Sequence, residues 1–252
     1  KLRFTGSNIV FECDMPELQE MSGPFIPKRI IDSSPLLKLH ITSIDCKPTD
    51  IINFTNIVKL NCDHVSIESV DTLVNLRSLR CRHNYKIKSI NLPNLKRLDC
   101  CYTDIIDFSN LTALTHLSTN NWKITQINLI NLESLYCVDT GINSFDHLIN
   151  LKKLNCTSCP VERINLPKLI SLICINTGIS QLNHLTTLER LDCSSCPISD
   201  ISLPNLIQIR CSDTKIIDFS NWPKLQKIKN VNKVKKNLNL NKIGLDMKIS
   251  LY

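Results

Sequence analysis

Thirteen Cys in 252 residues are the side chains of widest chemical reach in this chain. Two pairs, Cys156-Thr-Ser-Cys159 and Cys193-Ser-Ser-Cys196, have the spacing of paired zinc ligands. A secreted disulfide framework is the other reading, although thirteen is odd and leaves one thiol over. Position along the chain decides between these readings and a third. Nine cysteines (46, 62, 81, 100, 137, 156, 174, 193 and 211) occupy one recurring position, and Cys159 and Cys196 occupy another three residues on. Only Cys13 and Cys101 fall outside. A recurring position that points inward is a packing position, where free Cys acts as a small hydrophobe. The pairs are therefore expected to pack, with no metal, no cofactor and no disulfide. A spine of unpaired thiols would cross-link in an oxidising compartment, so a reducing one, the cytosol, is expected. Cys101 lies one residue past the recurring position and is expected to face outward and react early.

Catalysis finds little to work with. The six His (40, 64, 83, 116, 147 and 184) are dispersed, and His147 and His184 are separated by the repeat itself. There is no Gly-rich phosphate loop, no His-Glu-x-x-His and no nucleophile elbow, so no enzyme is expected. The glycosylation patterns at Asn53, Asn110 and Asn155 read as incidental. No apolar run approaches the roughly 20 residues of a membrane helix. The net charge of +7 resides in residues 224–252, which hold eight Lys and one Asp. That segment reads as a solvated cap, with weak polyanion binding as its alternative and no specific nucleic-acid binding expected.

The elements that position these residues come from a repeat. The phrase Leu-x-x-Leu-x-Cys recurs at Leu95-Leu98-Cys100, Leu132-Leu135-Cys137, Leu151-Leu154-Cys156, Leu169-Leu172-Cys174 and Leu188-Leu191-Cys193. Its last member anchors a series at 62, 81, 100, 119, 137, 156, 174, 193, 211 and 230. From Cys100 on, units of 19 and 18 residues alternate, giving a super-period of 37. Earlier units are degenerate: Ile41-Ile44-Cys46 fits the phrase, and Leu18-Met21-Gly23 fits loosely. The expected organisation is degenerate repeats over 1–40, regular repeats over 41–230 and a basic cap or tail over 231–252. Lys1 is expected to fall inside a repeat, with further sequence upstream. In each phrase the second Leu and the Cys share one side of a short strand. One coil cannot bury its own apolar row, and stacked coils bury a continuous one. Pro93, Pro167 and Pro204 predict extended or turn structure on the return side.

This pattern resembles the leucine-rich-repeat family. Its consensus Leu-x-x-Leu-x-Leu-x-x-Asn/Cys-x-Leu appears as Leu151-Lys-Lys-Leu154-Asn-Cys156-Thr-Ser-Cys159-Pro-Val161. The closest flavour is the internalin-like type with no long return helix, here in a Cys-rich variant. The resemblance implies a repeat solenoid, a leucine-rich-repeat arc with a parallel β-sheet on one face, short extended or turn return segments and little helix. Units of 18 and 19 residues are shorter than usual. The Asn ladder is mostly Thr or Cys, with Asn84 the exception and Trp122 hard to fit in a tight turn. Asn, Ile and Lys richness and Cys-type short repeats also resemble repeat proteins of giant amoebal DNA viruses, which would place the chain in host cytoplasm.

The fold analogy implies protein–protein recognition, with a structural or particle role, or the substrate-recognition part of an F-box-type ubiquitin-ligase adaptor, as rivals. The partner's identity is not written in the sequence. Residues one before and one after each anchor form the outward face of the sheet. Two clusters stand out there. Arg80, Arg82 and nearby Arg97 make a basic spot edged by Asp63 and Asp99. Tyr136, Val138, Ile173 and Ile175 make an apolar stripe on an otherwise polar face. Contiguous exposed apolar area tends to mark an interface, and Arg and Tyr are enriched among interface anchors.

Overall fold

A computed structural model of the chain describes residues 1–3, 18–23, 37–41, 54–216, 222–229 and 248–250. Cys13, Cys46 and nearly all of the basic 231–252 segment lie outside them. The chain divides into two compact units, Lys1–Asn121 and Trp122–Tyr252. The first contains β1 (Leu2–Arg3), β2 (Glu20–Gly23), β3 (Lys38–Ile41), β4 (Lys59–Asn61), β5 (Ser78–Arg80), β6 (Arg97–Asp99) and β7 (His116–Thr119). The second contains β8 (Ser134–Cys137), β9 (Lys153–Asn155), β10 (Ser171–Ile173), β11 (Arg190–Asp192), β12 (Gln208–Arg210), β13 (Lys227–Lys229) and β14 (Lys248–Ser250). Within each unit every strand pairs in parallel with the next in sequence. No helix occurs among the described residues.

The phrase explains the strand. Its second Leu is the middle residue of a strand and buried, as in Leu60, Leu79 and Leu98 of one unit and Leu154, Leu172 and Leu191 of the other. Each such burial contributes about 1.5–3 kcal/mol. The described anchors from Cys62 to Cys211, Thr119 among them, are at most 4% exposed. Register corrects the earliest part of the series. Ile41 continues β3 and stands opposite Gly23 of β2, while Lys38, Leu39 and His40 pair with Lys59, Leu60 and Asn61. Ile41, not Cys46, is therefore the anchor of that coil. The spacings flanking it are 18 and 21 residues, and the longer one let Ile44 and Cys46 imitate the phrase in a plausible but wrong register.

After each described Cys anchor, though not after Thr119, the chain turns through a left-handed residue. His64, His83 and Tyr102 in the first unit, and Asp139, Ser158, Asn176, Ser195 and Asp213 in the second, have φ between 55° and 63°. All lie two residues past an anchor, and none is Gly. Asn, Asp and His are among the residues that tolerate this region best. One residue further on, the ladder position secures the turn. The Thr103, Thr140, Thr177 and Thr214 hydroxyls donate to the carbonyls of Cys100, Cys137, Cys174 and Cys211 at 2.8–3.0 Å. The thiols of Cys159 and Cys196 reach back one coil to the carbonyls of Cys137 and Cys174, at 3.0 and 2.8 Å. The Cys137 and Cys174 carbonyls thus each take two donors, one from their own coil and one from the next. Asn84 does the same work differently: its Oδ1 accepts from the Lys86 and Ile87 amides at 3.1 and 3.3 Å.

The return side explains the alternating length. From Cys100 on, long coils make two successive turns there, as at Phe145–Leu148–Leu151 and Leu182–Leu185–Leu188, each step closed by an amide-to-carbonyl bond three residues back, whereas the 19-residue coil from Cys81 makes one, Leu92–Leu95. Short coils make one, Leu166–Leu169 and Leu203–Leu206. The nineteenth residue is the room the second turn needs. Side chains then clip coil to coil. Asn75, Asn150 and Asn205 donate to the Thr55, Ile130 and Thr186 carbonyls, at 2.9–3.0 Å. His147 and His184 donate through Nε2 to the carbonyls of Ile127 and Ile164.

Candidate functional site

Strand alternation sends every second side chain outward, so the residues flanking each anchor line the open face of the sheet. In the Lys1–Asn121 unit that face is basic but paired. Arg80 Nε lies 2.7 Å from Asp63 Oδ2, and the Arg82 guanidinium contacts Asp99 Oδ2 through Nε and Nη2 at 2.7 and 2.6 Å. The Asp99 hydrogen bond pushes the Arg82 guanidinium further up. Asp63 is held in turn by the Arg82 amide, which donates to its Oδ1 at 2.9 Å. Arg97 is exposed, with no carboxylate among the described residues in ion-pair contact. The basic spot is thus two ion pairs and one unpaired cation, not three unpaired cations.

The same unit shows two features that the sequence reading missed. His64, His83 and Tyr102 stack ring on ring, with centroids 4.4 Å apart and planes 8° apart at each step. Their signal was present: three planar side chains at one column, 19 residues apart. The second is an open groove of about 600 Å³ over β1–β5, whose charged lining includes Lys1, Arg3, Glu20, Lys38, Lys59 and Arg80. Lys38 and then Lys1, hydrogen-bonded to Glu20, draw its carboxyl down to about 2.

Cys101 requires correction. Expected outward and reactive, it is only 4% exposed. Its short side chain sits in column between Arg82 and Asn120, and the Arg82–Asp99 pair lies beside it. Burial, then the neighbouring Asp99 charge, pushes its thiol up to about 12. The outward column is thus not uniformly exposed: a small residue is covered by the long ones on adjacent coils. The eleven described cysteines are all free and buried. The ladder sulfurs of Cys159 and Cys196 face Thr140 and Thr177 at 3.2 and 3.3 Å. Among the described residues no group of three or more His, Cys, Asp or Glu is placed to hold a metal ion.

In the Trp122–Tyr252 unit the four apolar residues fall on alternate coils. Tyr136 is 42% exposed, and Val138, Ile173 and Ile175 are half-buried. Asn155 stands in register between Tyr136 and Ile173. Its Oδ1 accepts both the amide and the hydroxyl of Thr157, at 3.1 and 2.8 Å. The stripe is therefore two apolar patches separated by one self-satisfied polar rung. Trp122, the residue hard to place in a tight turn, is 73% exposed.

No protein-family model matches the chain, and no curated protein matches its sequence. Solved structures do. An internalin from Listeria monocytogenes aligns over 93% of this chain and 80% of its own, with a TM-score of 0.75 at 19% identity. A leucine-rich-repeat protein from Leptospira interrogans aligns over 93% and 78%, with a TM-score of 0.64 at 18% identity. The functional domain of InlJ from Listeria monocytogenes, which includes a cysteine ladder, aligns over 80% of this chain at 24% identity, with a TM-score of 0.53. This chain covers 45% of that one. At these identities the likeness is one of fold, and by its parallel strands, its repeat phrase and these neighbours the chain folds as a leucine-rich-repeat solenoid.

Proposed function

We propose that the chain is a non-enzymatic recognition scaffold that binds a protein partner through the open face of its sheet. The observation that carries this reading is the pair of apolar patches of the Trp122–Tyr252 unit, Tyr136 with Val138 and Ile173 with Ile175. Their strands already bury Leu135 and Leu172 inward, so the outward apolar groups do not serve the core. Such area tends to mark an interface. The Arg80–Asp63 and Arg82–Asp99 pairs, with Arg97, form a second surface of the same kind in the other unit. A reducing compartment, the cytosol, suits the eleven free buried thiols described.

Affinity capture with purified variants tests the reading. Tyr136→Ala with Ile173→Ser should lose the partner that the wild-type chain retains. A return-side control, Asn110→Ala with Gln181→Ala, should keep it; Asn150 is unsuitable there because it clips Ile130. Folding is checked by circular dichroism. A folded face variant that binds as wild type does, beside a control that loses binding, would overturn the assignment.

A further inference from the structure

The face of the Trp122–Tyr252 unit repeats by pairs of coils. Two coils present a small residue followed by two apolar ones: Ser134, Tyr136, Val138 on one and Ser171, Ile173, Ile175 on the other. The coils that follow them present a cation, a carboxamide or carboxylate, and a hydroxyl: Lys153, Asn155, Thr157 and Arg190, Asp192, Ser194. Lys153 stands in register between Ser134 and Ser171, and Arg190 between Ser171 and Gln208. Both cations are exposed. No carboxylate among the described residues is in ion-pair contact with Lys153, and Arg190 meets only Glu189, at 3.7 Å.

The polar residues between them are already engaged. Ser194 donates its amide and hydroxyl to Asp192 Oδ1 at 3.3 and 2.8 Å, as Thr157 does to Asn155. The other Asp192 oxygen faces Arg210 at 3.7 Å. What each pair of coils offers a ligand is therefore one apolar patch and one cation, offset along the strand by about 7 Å. The offer is made twice, one pair of coils apart.

That interval is about 9.6 Å, twice the strand spacing. A peptide in the polyproline II conformation rises about 3.1 Å per residue with three residues per turn, so one of its faces recurs every ~9.3 Å. Nucleic acid fits less well: it carries a phosphate at every nucleotide, with no apolar side chain between phosphates. We propose that this face binds an extended acidic peptide in which an apolar and an acidic side chain recur every third residue. The apolar groups lie on Tyr136–Val138 and Ile173–Ile175, and the carboxylates meet Lys153 and Arg190. The proposal rests on the reading of the sheet face as the recognition surface and names the chemistry of its partner.

Fluorescence anisotropy with the intact chain tests it. The probes are labelled (Leu-Glu-Pro)5, an isomer of the same composition whose order removes the three-residue period, and a fifteen-nucleotide oligo-dT. The periodic peptide should bind at least about tenfold tighter than its isomer, because two linked subsites are engaged at once. Lys153→Ser with Arg190→Ser should erase that preference and flatten the salt dependence. The charge-preserving pair Lys153→Arg with Arg190→Lys should keep it. Equal binding of the two peptides, or oligo-dT bound as tightly as the periodic peptide, would overturn the proposal. If the peptides bind alike while Tyr136→Ala with Ile173→Ser still abolishes partner capture, the periodicity fails and the face reading stands. Periodic-peptide binding that survives both face variants would place that peptide elsewhere and overturn the proposal, leaving the face reading to the partner-capture test.

Discussion

At the scale of single residues, the cysteines divide by partner, not by number. Burial pushes the anchor thiols of Cys81, Cys156 and Cys193 well above the ordinary range. Cys137 is also held up, by burial and then the Cys159 thiol, and Cys174 by the Cys196 thiol and then burial. The ladder thiols move the other way. Contact with Cys137 and the Thr140 hydroxyl draws Cys159 down to about 7, and Cys174 and Thr177 draw Cys196 down to about 6. Thiolate is the reacting form. Native-state alkylation at pH 7.5, mapped by mass spectrometry, should therefore label Cys159 and Cys196 before Cys101, and the anchors last. Cys101 labelled first would restore the outward placement that the structure corrects. The same shifts fix a pH dependence. A thiol that ionises near 8.5 when unfolded but far later when folded stabilises the native state fully below about pH 8.5 and progressively less above it. Cys159 and Cys196 act oppositely, losing their contribution as pH falls through about 7 and 6. The seven raised anchors, Cys100 and Cys211 included, outweigh these two, so the urea midpoint under reductant should fall above about pH 8.5, by up to ~1.4 kcal/mol per buried thiol per pH unit. A midpoint unchanged to pH 9.5 would contradict their burial.

At the scale of the coil, stability is concentrated in the turn after the anchor. Asn84 is 1% exposed and accepts two amides. Asn84→Ala would strand both donors and should cost about 1–3 kcal/mol in chemical denaturation. Asp139 holds φ at 55°. Asp139→Val places a β-branched side chain in that region and should cost about 1–2 kcal/mol, whereas Asp139→Gly should not. Most of this coil was legible in advance. Leu-x-x-Leu-x-Cys identified the strand and the buried anchors, because a repeated inward position is written again in every unit, and Pro93, Pro167 and Pro204 identified the turn-rich return side. What was not legible depends on neighbours across coils. Cys101 reads as outward by alternation and is covered by the Arg82–Asp99 pair of adjacent coils. Asn150 stands outside the phrase, with nothing in its own coil to mark it, and is a clip to the Ile130 carbonyl. Ile41 lost its place to Cys46 because a 21-residue spacing follows it. The ring stack of His64, His83 and Tyr102 required comparing one column across coils, not one phrase along the chain.

At the scale of the whole molecule, the Thr and Cys ladder sets the smallest piece of chain that can be added or removed cleanly. A Thr coil and the Cys coil after it share one carbonyl, with Thr140 and Cys159 both on Cys137, and Thr177 and Cys196 both on Cys174. The double turn of the long coil alternates with the single turn of the short one in the same rhythm. Excising residues 157–193 removes 37 residues and rejoins Cys156 to Ser194, so a Cys coil still follows a Thr coil and each keeps its neighbour's donor. That shortened chain should fold and melt cooperatively, with a midpoint close to that of the parent. Excising only 157–174 brings Thr177 beside Thr140, leaves the Cys137 carbonyl with one donor and should lower the midpoint measured at about pH 5, where the ladder thiols keep the proton they donate. If the shortened chain folds as expected, gene segments encoding coil pairs are interchangeable, and a protein built this way can change the length of its sheet in steps of two coils, each step adding one apolar patch and one cation, without redesign of its interior.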